Sequence, residues 1–385
     1  MARWAPVEES AQDPLIGQSL NGRYRIVKAL GEGGMGAVYH GEHELIGRQV
    51  AVKVLNPALA ASPDFAKRFQ REALAAGRLD HPNCVPVTDS GQLDDGTVYI
   101  VMELVDGEDL RSLIDREAPL HPVRALRIAR HVLRGLGHAH EAGIIHRDIK
   151  PDNVMLSPVE DDRDLARVLD FGIAKLRDGE GGEALTQAGM AVGTPAYLSP
   201  EQAIGGDVDL RTDLYSTTAM LFEMLCARPP FVGSTPIKTL TKHTIAPIPH
   251  LWEHAEHLRS LPQLDELIQK GLAKEPEERF GSTAEFVAAI DGALASLGAH
   301  FTPSHGIELP VATPPPVSQQ FAAVTGAPIA PAPVEPTFIA TGPQPSLGPA
   351  TASRKRAVIV GGALLAGLAF AMVLATSLGS SGKGA

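Results

Sequence analysis

Lys53, Glu72, Asp148, Lys150, Asn153 and Asp170 are the residues of this sequence best suited to chemistry. In Ile144-Ile145-His146-Arg147-Asp148-Ile149-Lys150-Pro151-Asp152-Asn153-Val154-Met155, apolar pairs bracket a dense polar loop. Asp148 and Asn153 offer oxygen donors there, and Lys150 adds a charge between them. Val168-Leu169-Asp170-Phe171-Gly172 puts a further carboxylate directly after a strand-like run. Together, Asp170 and Asn153 supply the hard oxygen ligands that Mg2+ takes beside substrate phosphates. Any one of these residues alone also fits a solvated turn. The glycine-rich stretch Leu30-Gly31-Glu32-Gly33-Gly34-Met35-Gly36-Ala37-Val38-Tyr39 lacks Cβ bulk, so its backbone amides can approach phosphates closely.

Such residues need elements to place them. Tyr24 to Leu30 has strand character and Val38-Tyr39 resumes it, which predicts that the glycines sit in a β-hairpin. A dinucleotide-binding fingerprint would open a helix instead. Val50-Ala51-Val52-Lys53-Val54-Leu55 alternates, with Val50, Val52 and Val54 on one face and Ala51 and Lys53 on the other. A small residue beside an inward lysine suits a flat base next to its phosphates, although lysine in a strand commonly snorkels to the surface. Ser62 as N-cap and Pro63 at the first helical position start a helix. Phe65, Phe69, Glu72 and Ala76 then form one stripe of it. Glu72 therefore lies on the apolar face, where a carboxylate needs a cation, and Lys53 is the candidate.

In this order the stretches resemble the protein kinase superfamily, most closely the eukaryote-like (Hanks-type) Ser/Thr kinases of bacteria, over about residues 24–297. The GxGxxGxV signature appears as Gly31 to Val38, VAIK as Val50 to Lys53, HRDxxxxN as His146 to Asn153, and DFG as Asp170-Phe171-Gly172. The later APE element appears as Ser199-Pro200-Glu201. The resemblance implies an α+β, bilobal kinase fold: a small β-rich lobe with one regulatory helix, a hinge at Met102-Glu103-Leu104-Val105, and a larger helical lobe.

It also implies an ATP site. Leu30, Gly31, Glu32, Gly33, Gly34, Met35, Gly36, Ala37 and Val38 would cover the nucleotide, with Val38, Ala51 and Met155 around the adenine. Met102, Glu103 and Val105 would line the hinge, and Asp109 would meet the ribose. Lys53 would hold the α- and β-phosphates and pair with Glu72; Asn153 and Asp170 would bind Mg2+, with Mn2+ as an alternative ion. Asp148 would accept the substrate hydroxyl proton beside Lys150. Lys150 and Gly193-Thr194 match the Ser/Thr branch. Arg147 would answer a phosphorylated activation segment running from Asp170 to Glu201, in which Thr186 and Thr194 are the phosphosite candidates. Glu201 and Arg279 match a buried ion pair of the family. Two departures stand out: Ala188 replaces a threonine that relatives often carry, and Thr218, near Asp213, stands where glycine is usual. A pseudokinase scaffold would lack Lys53, Asp148 or Asp170, and a small-molecule kinase of related fold would lack the long activation segment.

Composition bounds the rest. The chain has 385 residues, 44% hydrophobic and 21% charged, enough for a sizeable core. Its net charge of −11 argues against general nucleic-acid binding, which needs an excess of Lys and Arg. Cys84 and Cys226 are far apart with no metal spacing, and are expected as reduced thiols. Residues 1–23 read as a polar preamble with no apolar h-region, so no cleavable signal peptide is expected. Residues 298–353 hold twelve prolines among Ala, Thr and Ser, a composition that predicts a disordered tether. Arg354-Lys355-Arg356 then precedes Ala357 to Leu378, which has no charged residue. As a helix that run is about 33 Å long, which matches a bilayer core. A single transmembrane helix over 354–378, a short extracytoplasmic tail over 379–385 and a cytoplasmic catalytic domain are the expectations. The expected partners are protein substrates and the membrane, with a second copy of the chain left open.

Overall fold

The computed structural model describes residues 13–33, 36–60, 63–159, 162–171 and 195–298, apart from the side chains of 63–66, 68 and 72. The chain divides into two units, Met1–Val311 and Ala312–Ala385, and the second lies wholly outside the described residues.

Strands β1 (Ser19–Leu20), β2 (Tyr24–Gly33), β3 (Gly36–His43) and β4 (Gln49–Leu55) are followed by helices α1 (Pro57–Ala60) and α2 (Pro63–Ala76). Strands β5 (Val87–Gln92) and β6 (Val98–Glu103) complete a six-stranded antiparallel sheet in the order β1-β2-β3-β4-β6-β5. The alternation in β4 does what its pattern predicts. Val50, Val52 and Val54 pack with Tyr24, Tyr39 and Tyr99 on one face. Ala51 and Leu55 pack with Phe69 of α2, Ile100 and Met102 on the other. The sheet also takes in residues before Tyr24: Leu20 is buried in it, and the Tyr39 hydroxyl donates to Asp13 Oδ2 at 2.9 Å.

After Val105 come β7 (Glu108–Asp109), α3 (Leu110–Glu117) and α4 (Pro122–Glu141), then β8 (Val154–Val159) and β9 (Asp162–Val168). The strands form a second sheet, β7-β8-β9. Helices α5 (Pro200–Ile204), α6 (Leu210–Cys226), α7 (Pro236–Ile245), α8 (Pro262–Gly271) and α9 (Thr283–Ser296) finish the large lobe. In α6 every residue from Thr212 to Cys226 is buried, as expected of a helix that runs through a core rather than along its edge. Its buried hydroxyls fold back on the helix: Thr217 and Thr218 donate to the carbonyls of Asp213 and Leu214, each at 2.8 Å.

Among the described residues, no helix is long and apolar enough to cross a membrane. The expected tether and membrane span, residues 298–385, lie outside the described residues except for Gly298.

Candidate active site

The glycine-rich hairpin forms between β2 and β3, with Gly33 opposite Gly36; its tip, Gly34 and Met35, is outside the described residues. Gly36 has φ +148°, and a Cβ there would run into the carbonyl of Val54, so this position requires glycine. Beneath the hairpin, Val38, Ala51, Val105 and Met155 meet in one apolar cluster with Met102 and Leu169. That is the wall set expected around a flat base. Leu30 is buried in β2 but is not part of this cluster. The side chain of Glu103 is committed elsewhere, to a two-pronged ion pair with Arg167 of β9 at 2.6 and 3.0 Å. Arg167 thereby holds the Glu103 carboxyl below the usual carboxylate range, against the opposing effect of burial. From Glu103, only the backbone is left for a nucleotide.

Asp109 pairs with Met155 across the second sheet and serves as N-cap of α3, accepting from the Ser112 amide at 2.8 Å. The cap fixes its carboxylate beside the base cluster and still leaves lone pairs for a ligand hydroxyl.

Lys53 points inward from β4, and its Nζ lies 2.6 Å from Asp170 Oδ2. The backbone of α2 includes Glu72, but the Glu72 side chain is not among those described. Asp170 is in the left-handed region, φ 59°, and the turn sends Phe171 edge-on to His146, with centroids 5.2 Å apart.

The loop from His146 to Asn153 is built around Asp148. Lys150 Nζ donates to Asp148 Oδ2 at 2.7 Å, and Asn153 Nδ2 donates to the Asp148 carbonyl at 2.7 Å and to Oδ2 at 3.2 Å. With its nitrogen so committed, Asn153 turns its amide oxygen to whatever approaches. Leu169 ties this loop to Asp170: its amide donates to the Asn153 carbonyl at 2.9 Å, and its carbonyl lies 2.7 Å from His146 Nε2. The oxygens of Asn153 and Asp170 are the donor set that a hard divalent ion takes.

Below the loop, the wholly buried Asp213 of α6 accepts from the amides of His146 and Arg147 at 2.9 and 2.8 Å, and lies 2.8 Å from His140 Nε2. Arg147 has φ 67°, a strained setting for a side chain of its size, and the Asp213 carboxylate on its amide helps hold it. Gln202, in the capping box of α5, donates to the Arg147 carbonyl at 2.7 Å.

The expected Glu201–Arg279 pair is present and bidentate, at 2.9 and 2.8 Å. Arg279 also donates to the carbonyls of Ala273 and Lys274, and Thr212 donates to Glu201. Burial pushes the Glu201 carboxyl up, but the hydrogen bonds from Arg279 and Thr212 and the Arg279 charge outweigh it, and the group sits below the usual range. Thr218, which stands where glycine is usual in the family it resembles, is accommodated in α8: a Cβ on Gly271 would overlap the Thr218 side chain, so the extra bulk on α6 is met by a missing side chain opposite. Cys84 and Cys226 are both buried thiols pushed up by burial to about 12. Thr186, Thr194 and Ala188 lie outside the described residues.

One network has no signal in the sequence. Glu223 of α6 accepts from the Tyr197 hydroxyl at 2.5 Å and from Arg111 Nη1 at 2.8 Å, which joins the turn at Pro195–Tyr197 to α3. Its members are 86 and 26 residues apart, so no local period could have paired them.

The model of the protein kinase domain matches residues 24–289. The chain is 41% identical over 279 residues to the serine/threonine-protein kinase pkn3 of Myxococcus xanthus, covering 72% of this chain and 51% of that protein. It is 41% identical over 275 residues to PknB of Mycobacterium tuberculosis, covering 70% of this chain and 43% of PknB. The chain thus spans about half the length of the curated relatives it matches. Among solved structures, the PknI kinase domain of Mycobacterium tuberculosis superposes with a TM-score of 0.56 at 32% identity, over 72% of this chain and 98% of that one. The sheet-rich small lobe and the helical large lobe are those of the protein kinase fold, and the chain belongs to the protein kinase domain family.

Proposed function

We propose that the domain is an ATP-dependent protein-serine/threonine kinase that transfers the γ-phosphoryl group of Mg-ATP to Ser and Thr hydroxyls of proteins. The observation that carries this reading is the double tie through Leu169, which sets Asn153 and Asp170 side by side with Asp148 one hydrogen bond away. Bound Mg-ATP supplies the phosphoryl group and the ion that neutralises its charge. Asn153 and Asp170 would hold the ion through oxygen. Lys53 would leave Asp170 for the α- and β-phosphates, a short move because one side chain already bridges the phosphate and metal positions. Asp148 orients the acceptor hydroxyl and takes its proton, while Lys150, paired to it, faces the transferring charge. Since the transfer is largely dissociative, positioning does more than basicity. Incorporation of label from γ-labelled ATP into protein Ser or Thr tests the reading, and equal incorporation by wild type and Asp148→Asn would refute it.

Autophosphorylation of the activation segment at Thr186, with Thr194 as second candidate, would be answered by Arg147. The charge asymmetry of Arg354-Lys355-Arg356 before Ala357 to Leu378 supports a single-pass anchor with the kinase in the cytoplasm. The Pro-rich tether would then let the domain reach neighbouring substrates, or a second copy of itself, along the membrane. Phosphopeptide mapping checks Thr186; a chain ending at Ser353 that still sediments with membranes would contradict the anchor.

A further inference from the structure

Helix α7 is pinned from beneath and bare on its other side. The Nδ1 of buried His243 lies 2.9 Å from the Tyr215 hydroxyl, and Lys274, seated over the Phe231 ring, donates to the His243 carbonyl at 2.9 Å. The outer face is therefore held in place rather than frayed. Ile237, Thr241 and Ile245 follow one another along it at i, i+4 and i+8, with Ile237 74% and Ile245 77% exposed. Lys238 and Lys242 run beside them, both exposed. Val232, exposed in the loop before the helix, is tied to the same side, since its carbonyl accepts from Lys242 Nζ at 2.7 Å. Lys238 Nζ donates to the Ser234 hydroxyl at 3.1 Å, and neither lysine meets a carboxylate among the described residues. From Met224 to Trp252 the chain carries Arg228, Lys238 and Lys242 and no Asp or Glu, although the whole chain has 45 acidic residues and a net charge of −11. By contrast, the exposed pair Leu45 and Ile46 lies between Glu44 and Arg48 and carries no excess of either sign.

We propose that α7 and the Val232 loop dock on an anionic phospholipid surface, with Ile237 and Ile245 entering the boundary between headgroups and acyl chains and Lys238 and Lys242 meeting lipid phosphates. An apolar stripe flanked by lysines is the composition of a helix that lies in a bilayer interface, where lysine stems follow the apolar surface and their heads reach the phosphates. The charge selects lipid over protein: lysine is depleted from protein–protein interfaces, whereas an anionic leaflet attracts it. So small a patch needs a high local concentration of lipid, which the single-pass anchor proposed above supplies, and in that respect the inference rests on that reading. Because α7 also packs against the turn at Pro195–Tyr197, docking brings that turn to the lipid surface.

The test puts a fluorescent label on the stripe. Thr241→Cys places an exposed thiol at its centre, and Cys84 and Cys226 are buried, so a bimane reagent labels that site alone. The labelled full chain is reconstituted into vesicles of phosphatidylcholine, alone or mixed two to one with phosphatidylglycerol, each carrying brominated acyl chains that quench on contact. Quenching is expected to be stronger with phosphatidylglycerol, and absent for a label at Asp94→Cys on the small lobe. Lys238→Gln with Lys242→Gln should lower the docked-to-undocked ratio about thirtyfold, the factor that about 1 kcal/mol for each of two lysines gives. Ile237→Gln with Ile245→Gln should abolish docking, and melting of each variant shows that its fold is intact. Quenching at Thr241→Cys that is equal in the two vesicles, or absent from both while the chain floats with them, would overturn the inference. So would self-quenching that grows with the number of chains per vesicle without quenching by lipid, which would assign α7 to a second copy. Flotation with the mixed vesicles alone, lost in the double lysine variant, would uphold the surface and refute the anchor instead.

Discussion

Removing Arg279 tests how the large lobe holds the end of the activation segment. Arg279 is fully buried and its guanidinium is spent on Glu201, at 2.9 and 2.8 Å, and on backbone carbonyls of the segment between α8 and α9. Arg279→Met leaves the Glu201 carboxylate buried with the Thr212 hydroxyl at 2.6 Å as its remaining side-chain donor. Breaking one half of a buried ion pair costs about 3–5 kcal/mol, most of it the desolvated charge left behind. In a domain of this size each kcal/mol moves the melting temperature by about 2–4 °C, so a fall of about 10 °C is expected. Urea unfolding followed by far-UV circular dichroism gives the free energy, and Trp252 fluorescence, read with Trp4 replaced by Phe, reports the large lobe separately. The pH dependence supplies a second check. The folded carboxyl of Glu201 lies below its ordinary value, so the stability this pair adds is fully present above the unfolded value of about 4.3 and is lost as pH falls through the folded one. The deficit of Arg279→Met should therefore shrink in acid. Glu201→Met with Arg279→Met should recover much of the loss, because no charge is then stranded. A single-variant deficit under about 1 kcal/mol at pH 7, or one unchanged down to pH 3, would refute the reasoning.

Asp148→Asn should lower kcat for label transfer by about 10²–10⁴ with little change in ATP affinity, measured by single-turnover transfer and nucleotide binding. Gly271→Ala should destabilise the domain by about 1–3 kcal/mol by driving a Cβ into Thr218, and Thr218→Gly added to it should recover the part due to the overlap, less the cost of about 0.5–1 kcal/mol for glycine inside α6. Asp213→Asn replaces a carboxylate that meets donors from His140, His146 and Arg147 with an amide that has one acceptor. It should lower kcat at least tenfold through misplacement of Asp148 and cost about 1–3 kcal/mol in urea titration. His243 is pushed down to about 3, first by burial and then by the nearby Lys274 charge. The unfolded chain then binds this proton first, so stability should decline as pH drops below about 6.5, and His243→Gln should flatten that slope in pH-dependent melting.

The loops of the candidate site were legible because their order is local. Gly31 to Val38, Val50 to Lys53, His146 to Asn153 and Asp170-Phe171 each declare themselves within a few residues, and the alternation of β4 correctly split Val52 from Lys53. Helix α2 begins at Pro63, as its capping signal predicts. Glu201 with Arg279 was reachable through the family resemblance and not through spacing, since 78 residues separate them.

Tertiary structure decided which side chains close on one another. Lys53 rests on Asp170, Glu103 is taken by Arg167, and Glu223 gathers Tyr197 and Arg111. It also decided that Thr218 is no defect, because the residue it faces is Gly271. Helix and strand periods are set by backbone geometry within a turn or a pleat and can be read from one stretch of chain. Partnership across 50 or 100 residues depends on where the chain returns, and packing depends on volumes from several elements at once, which no single stretch of sequence contains.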